Sequence, residues 1–126
     1  KMMWRASNTG RLTFERVELP KENMLGAPGQ GSHIMLATLD GGRLSIAAMA
    51  LGCAQGAYEM ALAYSKEREQ FGKPISKFQA VSFKLADMAM KIEAARCLLY
   101  KACRIKDAGM PFGKEAAMAK LYCSER

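Results

Sequence analysis

The stretch Glu67-Arg68-Glu69-Gln70-Phe71-Gly72-Lys73-Pro74-Ile75-Ser76-Lys77-Phe78-Gln79 joins two long helical patterns, and its reading decides the fold. Gly72 and Pro74 stop the first helix, because glycine accepts helix-ending backbone angles and proline disfavours a helical residue before it. Ser76 restarts the chain. The spacing S-x-x-Q predicts a capping box, in which the Ser76 hydroxyl accepts from the Gln79 amide and the Gln79 side chain reaches back to the Ser76 amide. This helix-turn-helix corner places free amides beside Arg68, Lys73 and Lys77, a setting suited to an anion such as a pyrophosphate. A corner that only turns the chain fits the same spacing.

Upstream, a helix is predicted from about residue 32 to residue 70. Leu39, Ile46, Ala50, Cys53, Ala57, Met60 and Tyr64 recur at spacings of four and three, one helix face. Leu44, Ala47, Ala48, Leu51, Ala54 and Leu62 form a second apolar face. A helix apolar on most sides belongs inside a bundle. Gly41 and Gly42 each cost roughly 1 kcal/mol there relative to alanine, so something bulky is expected near the backbone. Downstream, a second helix is predicted over residues 77–108, with Val81, Leu85, Met88, Ile92, Ala95, Leu99 and Ala102 alternating by four and three. Gly109 and Pro111 close it. A third helix starts near Gly113 and is still running at Tyr122, which reads as a cut.

Before the helices, Leu12 and Phe14 alternate with polar neighbours, and Val17 and Leu19 follow. This predicts a strand, bulged near Glu15 and Arg16 and ended by Pro20. Residues 21–31, with Asn23, Gly26, Pro28, Gly29 and Gly31, read as a turn-rich connector. A lone strand needs ladder partners, which are expected outside this chain. The predicted architecture is mainly α: a truncated antiparallel helical bundle over 32–126, preceded in 1–31 by a remnant β-strand and the connector.

A length of 126 residues supports one modest core, and half-apolar, quarter-charged composition argues against disorder. The net charge of +7 is interspersed with acids and lacks a basic block or aromatic platform, so no nucleic acid is expected. The apolar run from Leu44 to Ala57 is interrupted by Ser45 and Gln55, and no membrane insertion is expected. Lys1, in place of an initiator methionine, hints at a missing native start. Cys53, Cys97, Cys103 and Cys123 lie far apart with only His33 to join them, so no metal is expected and reduced thiols fit best. Ten methionines suit an adaptable apolar interior or a partner-facing surface.

Arg68-Glu69-Gln70-Phe71-Gly72 with Ile75 and Phe78-Gln79, then Leu85-Ala86-Asp87-Met88, Glu93-Ala94-Ala95-Arg96 and Glu115-Ala116-Ala117-Met118-Ala119-Lys120-Leu121, resembles the acyl-CoA dehydrogenase family. The likeness is to its short-chain or butyryl-CoA branch. It extends to Arg5-Ala6-Ser7, Phe14-Glu15 and Pro20-Lys21-Glu22-Asn23-Met24-Leu25-Gly26, nearly the whole chain. The resemblance implies a C-terminal fragment of an FAD enzyme that oxidises a short-chain acyl-CoA to the trans-2-enoyl-CoA and passes electrons to an electron-transfer flavoprotein. It implies a homodimer or homotetramer, in a bacterial cytoplasm or a mitochondrial matrix, and a fragment inactive alone.

Residue by residue, Arg68, Gln70, Phe71, Phe78 and Gln79 match the family segment that grips FAD from a neighbouring subunit. Arg68 would pair with the pyrophosphate, Gln79 with the adenosine part, and Phe71 would give apolar cover; corner packing suits Phe71 and Phe78 equally. Asp40, Gly41, Gly42 and Arg43 match the start of the helix lining the acyl-CoA site. Without the likeness, Asp40 and Arg43 are an ordinary intrahelical ion pair. No catalytic base is recognisable: the family's usual glutamate would lie beyond Arg126, and Gly42 stands where branches such as the isovaleryl-CoA dehydrogenases place theirs. An acyl-CoA oxidase, a flavin monooxygenase of the same superfamily, and a non-enzymatic helical interaction module are the rivals.

Overall fold

The computed structural model describes residues 6–125; Lys1 and Arg5, which the sequence reading drew on, lie outside them. The chain divides after Gly31 into two units. In the first, a single 3₁₀ turn spans Lys21–Asn23, and residues 6–20 are exposed and form no strand. The strand expected over residues 12–19 is therefore absent. Its alternating pattern is real, but no backbone partner is available among the described residues, and a strand without a ladder leaves its amides and carbonyls to water. Arg16, where the bulge was expected, does take a positive φ of 49°.

The second unit is helical. Helix α1 runs Gly31–Glu67, helix α2 Gln79–Asp107 and helix α3 Gly113–Glu125. Their core is one cluster: Leu44, Ala47 and Leu51 of α1, Ile92, Ala95, Leu99 and Ala102 of α2, and Ala116 and Ala119 of α3. Small residues dominate it, and Ala47, Ala102, Ala116 and Ala119 are fully buried. Alanine at these crossings lets neighbouring helices approach closely. The α2 face read from the sequence is the buried one. On α1 it is the second apolar face that packs; Leu39, Ile46, Met60 and Tyr64, on the first, are exposed. By length and composition α1 is also long and apolar enough to cross a membrane, contrary to the expectation from the interrupted run. Single residues such as Ser45 and Gln55 do not lower the average enough to prevent this.

Polar contacts tie the helices together beside the core. The Arg96 guanidinium of α2 donates to Gln55 Oε1 of α1 at 2.9 Å and to Glu93 Oε2 at 3.2 Å. Tyr100 and Glu93 hold the Arg96 pKa above its ordinary value. Lys91 pairs with Asp87 at 2.6 Å along the same helix.

Helix α2 ends as its sequence implied. Gly109 takes φ 69°, its amide donates to the Lys106 carbonyl at 2.9 Å, and the Met110 amide donates to the Ile105 carbonyl at 3.1 Å. This pair of bonds is a Schellman cap. An alanine at Gly109 would force a Cβ into the left-handed region, so Gly109→Ala is expected to cost about 1–2 kcal/mol, read as a lower urea midpoint.

Candidate functional site

The corner between α1 and α2 is tighter than a simple helix-turn-helix. After Glu67 the chain makes two short antiparallel strands, β1 at Glu69–Gln70 and β2 at Lys73–Pro74, paired Glu69 to Pro74 and Gln70 to Lys73. Phe71 and Gly72 form the turn, with φ of 53° and 75°. Positive φ at both central residues is the requirement of a type I′ hairpin turn. Glycine meets it without strain, whereas a bulky aromatic in this region is a rare conformation that the surroundings must enforce. The enforcing bonds are the Ile75 amide on the Arg68 carbonyl at 2.8 Å and the Arg68 amide on the Tyr64 carbonyl at 2.9 Å.

The predicted capping box is not formed. Ser76 lies inside a 3₁₀ turn, Ile75–Lys77, and the residue before α2 is Phe78, which makes no side-chain cap. The hairpin consumes the residues that would have led directly into a helix, so α2 starts at Gln79. The Phe78 carbonyl then accepts from the Val81 and Ser82 amides, both at 2.9 Å. The Gln79 and Ala80 amides have no backbone partner among the described residues.

This geometry gathers the corner residues singled out in the sequence. Arg68, Gln70 and Gln79 are exposed, and Phe71 is 92% exposed at the hairpin tip. Phe71 meets Phe78 edge to face, centroids 6.2 Å apart, and Lys73 Nζ stands 4.5 Å over the Phe78 ring. Free helix-start amides, three cations and a protruding aromatic together can hold an anion and cover a flat ring system. That donor set fits a dinucleotide carrying a pyrophosphate and stacked rings.

The second candidate lies near the start of α1. Asp40 and Arg43 pair on one face, as their spacing implied. Gly41 lines a groove of about 410 Å³ between α1 and α2, along with Leu44, Leu99, Tyr100 and Lys106. A Cβ on Gly42 would meet no atom within 4 Å, so among the described residues nothing bulky approaches it. The fold adds two residues that sequence reasoning missed. Lys106 Nζ stands 4.0 Å from where a Gly41 Cβ would be, and Gly113 lies against Asp40. Neither carries a local pattern that points to this segment, because Lys106 comes near Gly41, and Gly113 near Asp40, only through helix packing.

Other candidates remain apart. His33 is exposed in the first turn of α1, and the four cysteines are free. Burial raises the Cys123 thiol pKa, and its sulfur lies 3.8 Å from the Ala95 carbonyl. Tyr58 and Tyr122 are half-buried, whereas Tyr64 and Tyr100 are mostly exposed.

The family described as "Acyl-CoA dehydrogenase, C-terminal domain" matches residues 29–126. The chain is 57% identical over 125 residues to a probable acyl-CoA dehydrogenase of Bacillus subtilis, covering 99% of this chain and 33% of that protein. It is 51% identical over 125 residues to the mitochondrial short-chain specific acyl-CoA dehydrogenase of Bos taurus, covering 99% and 30%. Among solved structures, the butyryl-CoA dehydrogenase of Megasphaera elsdenii superimposes with a TM-score of 0.87 at 56% identity, over 89% of this chain and 29% of that one. A structure titled for the electron transferring flavoprotein of Acidaminococcus fermentans contains a chain that matches with a TM-score of 0.87 at 58% identity, over 89% and 30%. The chain thus spans about a third of the length of the curated relatives it matches.

Proposed function

The chain belongs to the acyl-CoA dehydrogenase family, and from that premise we propose that it is the cofactor-gripping helical part of a dehydrogenase that oxidises a short-chain acyl-CoA to the trans-2-enoyl-CoA. The observation that carries this reading is the corner, where Arg68, Lys73, two free helix-start amides and the exposed Phe71 converge. In this reading residues 1–31 are the end of a middle β-domain with its connector, and residues 32–126 belong to the helical bundle.

FAD, when bound, supplies acceptance of a hydride from the substrate β-carbon. Arg68 pairs with its pyrophosphate, for which a planar fork of donors is suited. Gln70 and Gln79 offer hydrogen bonds to the adenosine end, and Phe71 and Phe78 shield it. At the other site Arg43 orients the CoA arm, with Gly41 and Gly42 leaving its path open. The base that takes the α-proton lies in another part of the whole protein, since Gly42 has no side chain to offer. Electrons pass to an electron-transfer flavoprotein. The exposed apolar sides of α1 are covered by subunit contacts in a homodimer or homotetramer, not by lipid, in a bacterial cytoplasm or a mitochondrial matrix.

Steady-state kinetics on the full-length protein test the reading. Butyryl-CoA is expected to reduce an artificial dye without producing hydrogen peroxide. Arg43→Ala is expected to raise KM about tenfold to a hundredfold, the loss of one charge-assisted contact. Peroxide in step with turnover would shift the assignment to an oxidase, and no turnover with any acyl-CoA would remove it.

A further inference from the structure

We propose that the outward face of α2 pairs with the same face of a second copy of this chain, antiparallel, about a twofold axis at Cys97. The inference deepens the reading above by naming a contact surface for its homo-oligomer, and rests on that reading for the oligomer alone, not for the reaction.

Phe83, Met90, Cys97 and Arg104 follow one another along α2 at intervals of seven residues. Seven residues make close to two helical turns, so the four positions share one line. That line lies opposite Ile92, Ala95, Leu99 and Ala102, which face the core. Phe83 is 65% exposed and Met90 64%, and the Cys97 thiol is free and exposed. Two large apolar side chains and a thiol in a row make a surface that gains by being covered. Along the C-terminal half of the same face runs a groove of about 570 Å³, bounded by Glu93, Cys97, Tyr100, Lys101 and Arg104.

The charges select both the occupant and its direction. Glu93 lies on the N-terminal side of Cys97, and Lys101 and Arg104 lie on the C-terminal side. Among the described residues neither of these two cations has an ion-pair partner, and Glu93, paired only with Arg96 of its own helix, keeps a side chain 68% exposed. A face that is acidic at one end and basic at the other complements itself when turned end for end, and a twofold contact makes each such pair twice. Parallel pairing would instead set Glu93 against Glu93 and Lys101 against Lys101.

The same reasoning fixes the register. With the axis at Cys97, Glu93 of one copy meets Lys101 of the second copy, each four residues from the axis. Met90 and Arg104, each seven residues away, also meet, so Met90 enters the groove beside the aliphatic stem of Arg104. Moving the axis to Met90 would bring Asp87 against Glu93 and Lys84 against Arg96, two like-charge contacts.

The full-length protein is treated with a short bis-maleimide, and its mass in solution is followed by sedimentation. A crosslinked dimer that disappears in Cys97→Ser is expected, because thiols on a twofold between helices about 8–10 Å apart lie within reach of each other. Lys101→Glu and Glu93→Lys are each expected to weaken the association at least about tenfold, and the double variant to restore most of it, since every reversed charge again meets its opposite. Both side chains are exposed, so the helical circular dichroism of each variant is expected to match wild type. An oligomer that gives no Cys97 crosslink and keeps its mass in Lys101→Glu would overturn the proposal, leaving the homo-oligomer standing and α2 to a different partner. A monomer at every concentration would remove the homo-oligomer as well.

Discussion

Arg68→Ala in the full-length protein is expected to weaken FAD retention about tenfold to a hundredfold. The estimate follows from removing hydrogen bonds to a charged group, worth roughly 1.5–3 kcal/mol, with 1.4 kcal/mol per decade of affinity. The backbone at Arg68 is fixed on both sides: its amide closes onto Tyr64 at the end of α1 and its carbonyl takes the Ile75 amide across the hairpin. Its side chain is exposed, so the substitution removes donors from the corner without opening a hole in the core. Arg68→Lys keeps the charge and loses the fork, and should fall between alanine and wild type. Equilibrium dialysis of the flavin reads the effect. Equal retention in all three proteins would mean that the corner only turns the chain.

The second large effect is on stability. Leu99 is 4% exposed at the centre of the cluster that joins the three helices. Truncating it removes packing from that cluster, whose other members are mostly alanines too small to close the gap. Leu99→Ala is expected to cost about 2–5 kcal/mol, and Leu99→Met less than about 1.5 kcal/mol because it nearly conserves volume. Urea midpoints of the full-length protein measure both. A loss below about 1 kcal/mol for the alanine would contradict the packing described for α2.

Helix α2 shows why part of this fold was legible. Its seven apolar positions keep a strict period against a charged opposite face, and four of them, Ile92, Ala95, Leu99 and Ala102, are core residues. Helix α1 was legible as a helix but not as an orientation. With apolar residues on most sides, its period could not tell that Leu44, Ala47 and Leu51 pack while Leu39 and Ile46 stay exposed. At the corner, Gly72 and Pro74 announced a break, but the hairpin could not be read because it needs Phe71 in a conformation that aromatic residues rarely adopt. The Ser76 cap failed for the same reason. The contact of Asp40 with Gly113 had no local signature: it exists only because α3 returns to the start of α1.

The most direct test of the central claim is the visible spectrum of the full-length protein, recorded anaerobically before and after butyryl-CoA is added. A bound flavin whose absorbance bleaches within the first turnover is the predicted result. A protein without flavin, or a flavin that stays oxidised with saturating acyl-CoA, would contradict the assignment of this helical corner to a dehydrogenase.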